Sequence, residues 1–167
     1  MATVNRTQAA VLAPRSEAAK VSARTAPPQL LRCLVVSLSA DRRRLIRSAA
    51  EAQAWDAIIC RDAGEFLRMA FKRSVPLILV DLPTQLSDSY HELKAATERV
   101  KEITDSLLLV AGATADGGEE LWARCLGTWA YLSDANSQRG FEFVLEEARQ
   151  VIDRQMSVME FLPERVD

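Results

Sequence analysis

Five short apolar segments, spaced along residues 31–132, constrain this fold more than any other feature of the sequence. Each is 5 or 6 residues long, and none shows the strict alternation of polar and apolar residues typical of a strand with one face in water. Runs of this kind are typical of strands that are covered on both faces in a parallel sheet. They are LRCLVV (31–36), DAIIC (56–60), PLILV (76–80), SLLLV (106–110) and TWAYL (128–132).

The segments between and after these runs have the apolar spacing of amphipathic helices. Asp62 and Asp116 each precede a glutamate by three residues, the form of a capping box at a helix start. Alternation of five strands with five helices predicts right-handed crossovers and an α/β fold with a doubly wound, five-stranded parallel sheet of flavodoxin-like order 2-1-3-4-5. The predicted apolar helix faces are Leu45, Ile46, Ala49 and Ala50; Ala63, Phe66, Leu67, Ala70 and Phe71; Ala96, Val100 and Ile103; Leu121, Trp122, Cys125 and Leu126; and Phe141, Val144, Leu145, Ala148, Val151 and Ile152.

The chain divides into a domain with a short segment on either side. Residues 1–28 contain four basic residues and one acid, are rich in alanine and proline, and are predicted to form a flexible arm that binds a partner, targets the protein or is simply solvated. Residues 29–160 are predicted to form the α/β domain and residues 161–167 a tail. An arm that threads a neighbouring subunit is one further interpretation, which would make the protein part of a larger assembly.

Composition excludes several functional classes. A net charge of −2 gives no electrostatic reason to expect nucleic acid, and no apolar run is long enough to cross a membrane. Three cysteines without a CxxC spacing and a single histidine, His91, argue against a zinc site and against cysteine nucleophilic catalysis. We therefore expect a cytoplasmic protein without enzymatic activity or cofactor, with Cys33, Cys60 and Cys125 packed in the core.

Three segments resemble a response-regulator receiver domain, and the resemblance extends over residues 30–155. VPLILVDLP (75–83) is similar to the third strand of that family, which ends in the phosphoacceptor aspartate and precedes a proline-containing loop. LRCLVVSLSADRRRLIRSAAEA (31–52) resembles its first strand and helix, and GTWAYLSDAN (127–136) resembles its fifth strand.

The resemblance implies a phosphorylation site from which most of the chemistry has been lost. Receivers hold Mg²⁺ with two acids after the first strand and the aspartate after the third, and a lysine and a Thr or Ser bind the phosphoryl oxygens. The corresponding positions here are Asp81 for the phosphoacceptor, Ser37 and Leu38 for the acidic pair, Ala111 for the Thr or Ser, Asp134 for the lysine and Tyr131 for the switch aromatic. Four of the five groups are replaced, so we expect Asp81 to be an unphosphorylated, structural acid that caps the following loop.

These features predict a phosphorylation-independent pseudo-receiver that acts as a protein-protein interaction module in bacterial signalling. The fourth helix, fifth strand and fifth helix form the expected surface for a partner or a homodimer, with Trp122, Tyr131, Met156, Met159 and Phe161 as candidate contacts. A small-molecule sensor that uses the polar carboxyl edge of the sheet is the alternative. Arg42, Arg43, Arg44 and Arg47 are interpreted as a solvated helix face that could dock an acidic partner.

Overall fold

The computed structural model describes residues 30–113 and 116–160, with side chains up to residue 158. The predicted arm, Thr114, the side chain of Met159, Phe161 and the tail lie outside the described residues. The five strands are β1 Leu31–Ser37, β2 Trp55–Cys60, β3 Leu77–Asp81, β4 Leu107–Gly112 and β5 Ala130–Ser133. The five helices are α1 Ala40–Ala52, α2 Ala63–Lys72, α3 Ser89–Ile103, α4 Gly117–Cys125 and α5 Gln138–Glu160.

The strands form one parallel sheet in the order β2-β1-β3-β4-β5, which confirms the predicted topology. The central strand β3 is buried along its whole length, as a strand covered on both faces must be. β5 begins two residues later than its apolar run. Its first three residues are half-buried and Ser133 is exposed, because β5 is an edge strand.

Two apolar layers cover the two faces of the sheet. α2, α3 and α4 pack on one face through residues such as Phe66 and Leu93. α1 and α5 pack on the other face, where Trp55 donates its indole N–H to the carbonyl of Leu145 at 3.1 Å. The apolar spacing therefore identified the correct helices, since Ile46, Phe66 and Leu145 are all fully buried.

Some positions at the flanks of the predicted apolar faces are exposed instead. Phe71, Ile103 and Leu121 are exposed because each lies on the side of its helix away from the sheet or at the helix end. Cys125 is exposed as well, which corrects its assignment to the core. The face of α4 that packs against the sheet contains Glu119 and Ala123, one helical turn apart. Cys125 therefore lies outside this face and is exposed.

The two other cysteines are buried as expected. Burial raises the pKa of the Cys33 and Cys60 thiols from 9.0 to about 12, so neither forms a reactive thiolate at neutral pH. No helix among residues 30–113 and 116–160 combines the length and the apolar character needed to span a membrane.

Neither predicted capping box forms in full, although both aspartates cap their helices, and at α2 the glutamate returns to the residue before the N-cap. Asp62 accepts the N–H of Glu65 at 2.7 Å, and the Glu65 carboxylate in turn accepts the N–H of Arg61 at 2.8 Å. Asp116 caps α4 by accepting the N–H of Gly118 at 2.8 Å, but Glu119 does not return to the start of the helix. Its side chain enters the protein instead, and this places a carboxylate beside the end of the sheet.

Candidate functional site

The carboxyl ends of β1, β3 and β4 bring three of the predicted positions side by side. Ser37 pairs in register with Asp81, and Asp81 with Ala111. Strands that run parallel end at the same edge, which is where open α/β sheets bind ligands. All three residues are buried, and Ala111 contributes no polar side-chain atom where receivers place a Thr or Ser.

The Asp81 carboxylate is 4% exposed and receives hydrogen bonds on both oxygens. The Ser37 hydroxyl donates to Oδ2 at 2.6 Å. The Arg42 guanidinium donates from Nε to Oδ1 and Oδ2 at 3.1 and 3.2 Å and from Nη2 to Oδ1. We call Ser37, Arg42 and Asp81 the Asp81 cluster. Asp81 therefore forms an ion pair with α1, and the expectation that it caps the loop after β3 is wrong.

Arg42 reaches Asp81 because α1 begins directly above the carboxyl edge of the sheet. Ser39 is the N-cap of α1 and accepts the Arg42 N–H at 3.3 Å, which places Arg42 in the first helical turn. Its Cζ atom lies 5.2 Å from the centre of the Phe141 ring, within the range of a cation–π contact. The prediction that Arg42 belongs to a solvated helix face is thus also wrong.

A signal for this pair was present in the sequence. A positive side chain in the first turn of a helix opposes the helix dipole, and a buried acid nearby would compensate it. Asp81 ends the neighbouring strand β3, so it was the nearest buried acid that the predicted topology offered. The interpretation of Arg42 as solvated came from its place in the run Arg42-Arg43-Arg44, in which Arg44 is indeed exposed.

The loop after β5 completes the surroundings of Arg42. Its Nη1 donates to the carbonyl of Ala135 and, at 3.1 Å, to Oδ1 of Asn136. Asn136 in turn donates its side-chain N–H to Asp134, which is exposed and has a left-handed backbone with φ 51°. The acid at the lysine position of receivers therefore connects to Arg42 through Asn136, which gives the reversed charge a structural reason.

The metal that receivers bind at this edge does not fit the residues present. Mg²⁺ needs several hard oxygen ligands, and Asp81 alone supplies a carboxylate because Leu38 and Ser37 stand where receivers have acids. The guanidinium already occupies both carboxylate oxygens. Among the described residues, no group of three or more His, Cys, Asp or Glu side chains could hold a metal ion.

A cleft of about 440 Å³ opens beside the Asp81 cluster. It is lined by side chains from the ends of β1, β3 and β4, from α1 and from the loops that follow β3 and β5. The polar groups at its surface include Ser39, Thr84, Ser87 and Asn136.

A second buried carboxylate lies at the β4–β5 side of the same edge. Glu119 is 4% exposed and accepts the phenolic O–H of Tyr90 on Oε2 and that of Tyr131 on Oε1, both at 2.8 Å. We call these three residues the Glu119 cluster. Burial and the hydrogen bond to Glu119 raise the pKa of Tyr90 to about 12 and that of Tyr131 further still.

Gly112 makes the Glu119 cluster sterically possible. A Cβ atom at this position would overlap both Oε1 of Glu119 and the hydroxyl of Tyr131. Sequence reasoning missed the cluster because Glu119 matched the third position of a capping box. The glycine at the end of β4, next to a strand with a central tyrosine, was the available clue.

Of the candidate interface residues, the structure describes the side chains of Trp122, Tyr131 and Met156, and these three do not lie on one free surface. Tyr131 donates its hydroxyl hydrogen bond to Glu119. Trp122 donates its indole N–H to Glu98 at 2.7 Å, and the Lys94 ammonium lies 4.3 Å from the centre of the Trp122 ring. Met156 lines a cavity at the opposite, amino edge of the sheet, together with residues of β1, α2 and α3. The exposed large apolar side chains of α4 and of the first half of α5 are Leu121 and Phe143.

Solved structures of response-regulator receiver domains resemble this chain in fold. A CheY-like receiver domain protein from Methanospirillum hungatei JF-1 aligns with a TM-score of 0.64 at 19% identity, covering 77% of this chain and 98% of the other. A receiver domain from Clostridium thermocellum aligns with a TM-score of 0.62 at 17% identity, covering 77% of this chain and 99% of the other. A response regulator from Thermotoga maritima aligns with a TM-score of 0.60 at 18% identity, covering 74% of this chain and 98% of the other.

These likenesses establish the fold, because the sequence identities are below 20%. No protein-family model matches the sequence, and no curated protein matches it. The chain thus has the fold of a receiver domain, as the three sequence segments predicted.

Proposed function

We propose that this protein is a phosphorylation-independent pseudo-receiver that acts in bacterial signalling by binding a partner protein in the cytoplasm. One observation carries the proposal: the Arg42 guanidinium lies on the Asp81 carboxylate, in the place where receivers assemble metal and phosphoryl group. The ion pair supplies from within the chain the positive charge that receivers obtain from Mg²⁺ and lysine.

The electrostatics of the cluster oppose phosphorylation. A phosphoryl group on Asp81 would carry close to two negative charges and would have to displace Arg42 or leave it with new partners. No lysine side chain is available from the end of β5, where Asp134 stands instead. The described site therefore supports a permanently neutralised Asp81 rather than one that switches.

The same contacts support a constant binding surface. Arg42 connects α1 to β3 and to the loop between β5 and α5, and Glu119 connects α4 to α3 and β5. The surface formed by α4, β5 and α5 would then be presented in one conformation, with Leu121 and Phe143 as exposed apolar contacts for a partner or a second copy. Control would come from abundance or from binding.

Treatment with acetyl phosphate and Mg²⁺, followed by intact-mass measurement, tests the phosphorylation part of this proposal. We expect no added phosphoryl group on the wild-type protein. Arg42→Ala should also remain unmodified, because removing the guanidinium restores none of the magnesium ligands. A phosphoryl adduct on the wild type that disappears in Asp81→Asn would refute the proposal.

Affinity capture from cells that express the full chain tests the interaction part. One stoichiometric partner should be retained equally with and without phosphodonor. Its recovery should fall in Leu121→Asp or Phe143→Asp, with exposed Val158→Asp on the distal part of α5 as the matched control. Partner recovery that depends on the phosphodonor would contradict the proposal.

The cleft of about 440 Å³ beside Arg42 favours one second candidate, a sensor of a small polar molecule. A ligand that binds only the folded state raises the unfolding midpoint. Midpoint shifts across a panel of small anions and metabolites, absent in Arg42→Ala, would favour the sensor over the interaction module.

A further inference from the structure

A second cleft, between α1 and the edge strand β2, has an unusual concentration of positive charge. Its volume is about 290 Å³. Four of its six lining residues are arginines and none is acidic. The lining residues are Ala40, Arg43, Arg44, Arg47, Ile59 and Arg61.

Two of these arginines are held by the protein itself. Arg43 donates from Nη1 to the carbonyls of Ser37 and Leu38 at 2.9 and 3.0 Å, which fixes its guanidinium at the rim of the cleft. Arg44 pairs with Asp41, three residues earlier on α1.

The other two guanidinium groups have no partner within the described part of the chain. Arg47 and Arg61 are exposed, and neither side chain forms a hydrogen bond or ion pair with the residues that the structure describes. The acids nearest to Arg61 in sequence, Asp62 and Glu65, are occupied in capping the start of α2. Two positive groups therefore face the cleft with their hydrogen-bonding capacity unused within the described structure.

The positive charge of this cleft contrasts with the negative net charge of the domain around it. Residues 29–167 carry a net charge of −5, because residues 1–28 contribute +3 to a total of −2. A long polyanion such as nucleic acid would meet this negative surface beyond the cleft. A short acidic segment would experience mainly Arg43, Arg47 and Arg61, since Arg44 is paired with Asp41 and charges further than about 8–10 Å away are screened at physiological salt.

We propose that the cleft between α1 and β2 binds a short segment of a partner protein that is rich in Asp and Glu. Carboxylates match the paired N–H donors of arginine, and Ala40 and Ile59, which also line the cleft, offer apolar contact to the carbon stems of such side chains. The inference rests on the proposed interaction function and names the chemistry of the partner. It adds a surface separate from α4, β5 and α5.

Fluorescence polarisation of a labelled hexaglutamate peptide with the full chain, at low salt, tests the proposal. Arg47→Gln/Arg61→Gln should weaken binding about tenfold. The control Arg99→Gln/Arg139→Gln removes the same charge from exposed positions on α3 and α5 and should leave the affinity within about twofold. Urea unfolding of both variants establishes that they fold equally well.

Three results would overturn the inference: no binding of the peptide by the wild type, equal weakening in both double variants, or tighter binding of a long oligothymidylate than of the peptide. The last result would assign the patch to nucleic acid. None of these outcomes bears on the acetyl phosphate experiment, so failure of this inference is distinguishable from failure of the proposed function.

Discussion

Two buried carboxylates lie at the same edge of the sheet, and the protein stabilises them in different ways. Asp81 and Glu119 are each 4% exposed. Asp81 has a guanidinium and one hydroxyl as partners, whereas Glu119 has two phenol groups. The first arrangement compensates the charge, and the second satisfies the carboxylate with neutral donors alone within the described residues.

The difference determines how each cluster depends on its surroundings. In a buried ion pair, removal of the cation alone causes a large loss of stability, because it leaves the buried carboxylate charge uncompensated. A carboxylate held by two neutral donors divides its interactions and depends on close packing, which here requires a glycine at residue 112. The comparison therefore predicts a graded response to substitution, largest at Arg42 and smaller around Glu119.

Arg42→Ala should have the largest effect. We expect a loss of about 2–3 kcal/mol in the free energy of unfolding, below the 3–5 kcal/mol typical of a fully buried pair, because the arginine side chain is 19% exposed. Urea unfolding measures the loss. Adding Asp81→Asn to this variant should recover part of the stability, since the uncompensated charge is then absent.

Arg44→Ala is the matched control on the same helix. Its ion pair with Asp41 has side-chain exposures of 79% and 85%, and exposed pairs contribute little. We expect a change within about 0.5 kcal/mol. Equal losses in Arg42→Ala and Arg44→Ala would show that the Asp81 cluster has no special role in stability.

Glu119→Ala should rank second. The substitution leaves two largely buried phenol groups without their acceptor, and we expect a loss of about 2 kcal/mol in the free energy of unfolding. Glu120→Ala is the control, because it removes only an exposed pair with Arg124 in the next turn and should cost no more than about 0.5 kcal/mol. Similar values for the two variants would contradict the importance of the Glu119 cluster.

Gly112→Ala tests the same cluster through its packing alone. The added methyl group overlaps Glu119 and Tyr131, so one of them must move, at a cost of about 1–2 kcal/mol. Gly117→Ala provides the control, since a Cβ there meets no other described residue within 4 Å beyond its chain neighbours and its own helix backbone. Thermal or urea unfolding of both variants should show destabilisation at residue 112 only.

The comparison also shows which features the sequence could predict. The parallel sheet followed from uninterrupted apolar runs, its strand order from the alternation of five strands with five helices, and the position of Asp81 from the resemblance of residues 75–83 to the third receiver strand. The partners of the two carboxylates did not follow, because each depends on a long side chain that approaches from another element. Arg42 and Glu119 both had ordinary local interpretations, a solvated helix face and a capping box, and tertiary contacts decided against them.

The rotation of α4 had a similar cause. Leu121 and Cys125 have the spacing of an apolar face, yet Glu119 and Ala123 are the buried residues. Two tyrosine hydroxyls that need an acceptor make burial of the carboxylate favourable, and a small residue at 123 lets the helix approach the sheet. Apolar periodicity alone carries no information about such a compensated polar group.

Alkaline pH should weaken the Glu119 cluster through its phenol groups. The pKa of Tyr90 is raised from 10.0 to about 12, so the folded state retains a proton that the unfolded state loses. The stability contributed by this hydroxyl is fully present below pH 10 and is lost as pH rises towards 12. Wild type should therefore exceed Tyr90→Phe in unfolding free energy at pH 8, with a difference that shrinks above pH 10.

Urea unfolding across this pH range measures that difference directly. Cys33 and Cys60 have raised pKa values too, from 9.0 to about 12, and they lower the stability of both proteins in the same direction. The contribution of the two cysteines cancels between wild type and Tyr90→Phe. Tyr131, whose pKa is also raised, titrates in both proteins, so the difference reports Tyr90 together with its coupling to Tyr131. If the difference in unfolding free energy between wild type and Tyr90→Phe stayed constant up to about pH 12, the hydrogen bond to Glu119 would not raise the pKa of Tyr90.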